Sequence, residues 1–141
     1  GQLVLSCLHT TNVVTTVERL VSFGPLHQHQ LIRLRLSLSL RGIISLRLLL
    51  RSDGAGRIPV CEILTATPTV REQIREGRTE QLPATLHDGA MYGMQTFTQA
   101  LYRRYVNGDV DLEEALRYAD SPEELQLAVR EIRSTRDIQN R

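Results

Sequence analysis

Two stretches of this chain carry residues whose types and spacing could do chemistry. The first opens it. Leu3 to Leu8 is a nearly continuous apolar run without charge, and it changes at once to His9-Thr10-Thr11-Asn12. Such a run suits a strand buried on both faces of a parallel sheet. In open α/β sheets the ligand crevice lies beyond the carboxyl ends of the strands. An imidazole and a hydroxyl there are placed to meet a nucleotide γ-phosphate. The plainer alternative is that His9 and Thr10 satisfy backbone groups at a strand end. The second stretch is Thr69 to Glu76, where Arg71 and Arg75 are i,i+4 neighbours on a helix beside a stripe of Val70 and Ile74. Glu72 and Glu76 can answer the two arginines locally, so a solvated charged face stands against a functional one.

Other constellations are weaker. His27 and His29 point apart at a helix start and lack a nearby third ligand, so no metal is expected. Asp53-Gly54-Ala55-Gly56 lies between two expected strands rather than ahead of a helix, which argues against a phosphate loop. Tyr102 and Tyr105 flank Arg103-Arg104, but with four Tyr and two Phe in all, helix packing is expected there and no nucleic acid.

Composition limits the classes further. The 141 residues, 41% apolar, suffice for one modest core. A net charge of +1 gives no global field for nucleic acid or membrane. All 17 basic residues are Arg, so no P-loop Lys is present. Charge is uneven: residues 1–61 carry seven Arg against Glu18 and Asp53, and residues 62–141 ten Arg against fourteen acids. Cys7 and Cys61 sit in apolar runs and read as reduced core residues, with no CxxC pair. No run of about 18 apolar residues spans a membrane. The chain starts at Gly1 without Met and reads as part of a larger protein.

The elements that must position these residues follow from periodicity and end signals. Val13 to Val21 recurs at helical spacing up to Phe23-Gly24-Pro25. Between Leu31 and Arg41, Leu alternates with Arg and Ser, which argues strand, whereas Leu and Arg are good helix formers; a helix is expected, ended by Gly42. Ile43–Leu50 and Arg57–Leu64 around a Gly-rich turn make a hairpin. Thr67-Pro68 opens a helix that stops at Gly77. Thr79 to Leu86 is helical with Pro83 perturbing it, and His87-Asp88-Gly89 turns. Thr96 with Gln99 forms a capping box for a helix to Val106, Asp111 with Glu114 opens another through Tyr118, and Ser121-Pro122-Glu123-Glu124 combines cap, first-turn Pro and capping-box Glu for a last helix to about Ile132. Residues 134–141 have little to bury. The result is α/β in the first half and all helix in the second.

The chain resembles the secretion-type ATPases, most closely the twitching-motility (PilT) pilus-retraction family. The resemblance rests on Leu8-His9-Thr10, Arg41-Gly42-Ile43-Ile44-Ser45, Glu62 to Pro68, Arg71 to Gly77, Gly93-Met94-Gln95-Thr96, and Glu114-Ala115-Leu116 through Ser121-Pro122-Glu123. Thr69 to Glu76 matches the family signature Ala-Ile-Arg-Asn-Leu-Ile-Arg-Glu at Arg71, Ile74, Arg75 and Glu76. Gln2 stands where members commonly have a first His, and Leu50 where they have a Pro. The resemblance implies residues 1–66 as the C-terminal part of a RecA-like P-loop ATPase core, residues 67–133 as a helical C-terminal subdomain, and residues 134–141 as a polar tail. It implies nucleotide contact through His9, the catalytic candidate, and Thr10, and coupling to pilus retraction through Arg71, Ile74, Arg75 and Glu76. ATP and Mg would serve the parent protein and none the isolated chain, because the family's P-loop, Asp box and Walker B glutamate lie upstream. The implied partners are a homo-hexamer and an inner-membrane pilus platform protein, with peripheral membrane association at the cytoplasmic face. Pilus-assembly and type II secretion ATPases are the alternative within the superfamily, although they carry a four-cysteine zinc insertion. A non-catalytic interaction module is the alternative outside it.

Overall fold

A computed structural model describes the backbone of residues 2–139 and the side chains of residues 2–130. The helices are α1 (Val13–Ser22), α2 (His29–Ser39), α3 (Pro68–Glu76), α4 (Leu82–Asp88), α5 (Phe97–Val106), α6 (Leu112–Arg117) and α7 (Pro122–Gln139). Short 3₁₀ turns precede α2, α4 and α5. Strands β1 (Gly42–Leu50) and β2 (Arg57–Thr65) pair as a two-stranded hairpin. The chain packs as two units, residues 1–45 with 63–94 and residues 46–62 with 95–141, so each strand contributes one part to each unit.

The first unit has α1, α2, α3 and α4 around Val13, Val17, Ile43, Leu64, Val70, Ile74, Leu82, Leu86 and Met94. Asn12 begins α1 with a full capping box: its side chain accepts from Thr15 N–H and its own N–H is bonded by the Thr15 hydroxyl. Thr67 caps α3, Pro68 fills the first turn, and Gly77 closes the helix in the left-handed conformation at φ 74°. Gln73, buried in α3, exchanges hydrogen bonds with the Thr85 hydroxyl of α4. The second unit gathers Leu49, Ile58, Val60, Phe97, Leu101, Val110, Ala115 and Leu125, with Tyr102 and Tyr105 packed against them as expected. There the Arg47 guanidinium lies 3.7 Å from the Phe97 ring centroid and donates to Tyr118 O at 2.5 Å and Asp120 Oδ1 at 2.6 Å.

The conflict over residues 31–41 resolves as helix, α2. Several expectations are corrected. Residues 2–10 have no regular secondary structure, and Leu3, Val4 and Leu5 are exposed. A strand is completed by a neighbour, and among the described residues the sheet holds β1 and β2 alone. Gly42 does not end α2. Leu40 is the C-cap, and Gly42 is the first residue of β1, where a Cβ would lie 2.9 Å from Leu64 O. Pro83 sits in the first turn of α4 and so opens that helix rather than perturbing it. Residues 87–88 end α4, and the turn follows them. The helix expected from Asp111 does form, α6 with Asp111 as its N-cap; the Glu114 carboxylate accepts Leu50 N–H at 2.9 Å and pairs with Arg117 at 3.3 Å. Cys7 is exposed and Cys61 half-buried, so neither is a core residue. Helix α7 continues past Ile132 to Gln139; of the expected tail, residues 140–141 lie outside the described residues.

Candidate functional site

The His-Thr pair sits directly ahead of α1. His9 is exposed and Thr10 half-buried. The Thr16 hydroxyl donates to Asn12 O at 2.7 Å, which uses its one proton, so at the 2.7 Å contact between the two hydroxyls Thr10 is the donor. Thr10 is thereby tied to the first turn of α1, and its lone pairs remain on the accepting side.

The Thr69–Glu76 stretch forms one helix whose matched residues do different things. Ile74 is fully buried in the first core. Arg71 is half-buried and reaches across to the end of α2. Its Nη1 donates to Ser37 O at 2.5 Å and Leu38 O at 3.1 Å, and its Nη2 to Leu40 O at 2.9 Å. These are carbonyls of the last turn of α2, which has no further helical N–H to receive. A cation at that negative helix end is also favourable. Arg75 and Glu76 are exposed and pair with each other at 3.0 Å, with Glu72 3.9 Å from Arg75 and 3.8 Å from Arg78. The local answer to the charges thus holds for Arg75 and not for Arg71.

A third polar contact was invisible in the sequence. The buried Thr79 hydroxyl, just past α3, donates to Glu18 Oε1 of α1 at 3.0 Å. Sixty-one positions separate the two residues, and no spacing rule pairs them.

The remaining candidates fall apart as sites. His29 Nε2 is 3.0 Å from Gly24 O, and His27 is exposed beside Gln28. Among the described residues no group of three or more His, Cys, Asp and Glu could hold a metal ion. The Asp53 turn is closed on itself: Arg51 N–H donates to Gly56 O at 3.1 Å, Ala55 N–H to Asp53 Oδ1 at 2.9 Å, and Arg51 pairs with Asp53 at 2.7 Å. The Arg51 hydrogen bond, helped by Ala55 N–H, pulls the Asp53 carboxyl down to about 2. No phosphate cradle is formed by these residues. His9 offers an exposed imidazole and Thr10 only acceptor lone pairs; the chain has no Lys and no Gly-rich loop ahead of a helix that would cradle a phosphate.

The order of helices and hairpin, with the His-Thr pair ahead of α1, has the architecture of the C-terminal part of a RecA-like P-loop ATPase domain. No family model matches the chain. The type IV pilus ATPase PilU of Pseudomonas aeruginosa is 38% identical over 130 residues, which cover 92% of this chain and 34% of that protein. A twitching motility protein of Neisseria gonorrhoeae is 40% identical over 125 residues, covering 89% and 33%. A crystal structure of the pilus retraction motor PilT with bound ADP superposes with a TM-score of 0.72 at 37% identity, over 84% of this chain and 33% of that one. The chain belongs to the PilT family of secretion-type ATPases and matches its C-terminal part. It spans about a third of the length of these relatives.

Proposed function

We propose that this chain is the C-terminal part of a hexameric motor that hydrolyses ATP to ADP and phosphate and drives type IV pilus retraction. The observation that carries this is the likeness in sequence and backbone to the PilT retraction motor, 37% identity at a TM-score of 0.72. In this reading residues 1–66 belong to the ATPase core and residues 67–133 to a helical subdomain, with a polar tail after them. His9 contacts the nucleotide at its γ-phosphate, and Thr10, whose proton is given to Thr16, adjoins that contact with acceptor lone pairs only. The phosphate cradle and magnesium ligands come from elsewhere in the motor. Helix α3, through Arg71, Ile74, Arg75 and Glu76, couples hydrolysis to retraction. The motor works in the cytoplasm against a pilus platform protein at the inner membrane.

The test is His9→Ala in the full-length protein that carries this chain. Turnover should fall on the order of 10- to 1000-fold, the range for a lost transition-state donor, with assembly intact. Unchanged turnover in a normally assembled ring would leave His9 a surface residue. The isolated chain should release no phosphate from ATP and magnesium above a buffer blank, because one imidazole and one hydroxyl cannot replace backbone amides and a Lys.

A further inference from the structure

Helix α1 begins directly after the His-Thr pair and also meets the turn that follows α3. Helix α1 carries both contacts. At its first turn Thr16 receives the hydroxyl of Thr10 at 2.7 Å. Two residues further on, Glu18 receives the hydroxyl of Thr79 at 3.0 Å. Thr79 follows the left-handed Gly77 that closes α3, where Arg78 N–H returns to Gln73 O at 2.8 Å. Beside the two polar ties, Val13 and Val17 of α1 share a core with Val70 and Ile74 of α3. Native cores are close-packed, of low compressibility, and transmit strain, so a displacement of one face is passed to the other. Arg71 adds a further constraint: its three bonds tie α3 to the end of α2.

Resting on the reading of His9 as the nucleotide contact, with Thr10 adjoining it, we infer that α1 is a strut linking that box to α3, and that Glu18 and Thr79 are its positioning residues. Neither touches nucleotide. A carboxylate accepting from a buried hydroxyl is a charge-assisted bond with a defined length. It sets where the end of α3 sits relative to the helix that begins at the box. Loss of the bond should leave nucleotide contact in place and disconnect its consequence.

The experiment uses the full-length protein with Glu18→Ala, Thr79→Ala, and the conservative Glu18→Gln and Thr79→Ser, which keep an acceptor and a donor. Amide hydrogen exchange is followed with and without a non-hydrolysable ATP analogue, together with ATP turnover and retraction. In the wild type, nucleotide should slow exchange both at residues 8–12 and at residues 68–82. In the alanine variants the response at 68–82 should be lost while that at 8–12 persists. Turnover should stay within about threefold of wild type while retraction fails. The Gln and Ser variants should restore the distant response. An undiminished response at 68–82 in both alanine variants overturns the strut. A wild-type response at 8–12 without one at 68–82 overturns the strut alone. No wild-type response at either segment overturns the nucleotide reading and the strut with it.

Discussion

At the scale of single residues, the two arginines of the signature have separate roles. Arg71 satisfies three carbonyls of a helix end, and hydrogen bonds from a charged donor contribute about 1.5–3 kcal/mol each before relaxation. Arg71→Ala should therefore destabilise by about 2 kcal/mol, seen as a lower denaturant midpoint at unchanged slope. Arg75 is more than half exposed beside its acids, and Arg75→Ala should stay within about 0.5 kcal/mol of wild type. Arg75→Ala is thus the clean probe of coupling: retraction should fall while ATP turnover holds, and full twitching by this variant would leave Arg75 and Glu76 a solvated face. Asp53 offers a pH test. Its carboxyl is pulled from 3.8 to about 2 by the Arg51 hydrogen bond. A depressed folded value means the contribution is present above 3.8 and lost as pH falls through 2. NMR titration of the Asp53 carboxyl should show a midpoint near 2, and Arg51→Ala should return it towards the ordinary range.

At the scale of elements, the helix ends decide where α3 sits. Gly77 holds φ 74° between α3 and the turn that reaches Glu18. Ala there meets the left-handed penalty of roughly 1–2 kcal/mol, so Gly77→Ala should lower the midpoint and loosen amides 73–78. Gly42 is constrained by space instead. A methyl group would sit 2.9 Å from the Leu64 carbonyl, where neither backbone can yield cheaply. Replacement should spread the start of the hairpin at a cost of about 1–3 kcal/mol. Sequence periodicity placed every helix that has an apolar stripe and a capping residue, because those signals act within a few residues. It misassigned Gly42, since a glycine kept for close approach and one kept for a left-handed φ look alike in a sequence. The helix start at Asp111 was legible, but the partner of Glu114 was not: its carboxylate accepts from the backbone of β1, sixty-four positions away.

At the scale of the whole chain, the outer face of β1 is apolar and exposed. Leu46, Leu48 and Leu50 stand 45–57% accessible. Isolated chains should bind a hydrophobic dye and self-associate with rising concentration, and Leu46→Thr with Leu48→Thr should reduce both in dye fluorescence and light scattering. The sequence by itself determined the class of fold, the helix starts, the hairpin and the family, since capping, alternation and a linear run of matching residues are all local in the chain. Tertiary structure decided three other matters. The Leu3–Leu8 run forms no strand, because a strand depends on a neighbour that these residues do not choose. Arg71 works as a cap, because the carbonyls it serves lie more than thirty positions away. Glu18 meets Thr79 across sixty-one positions, because the apolar faces of α1 and α3 share one core; chain separation carries no record of such a meeting until the core has formed.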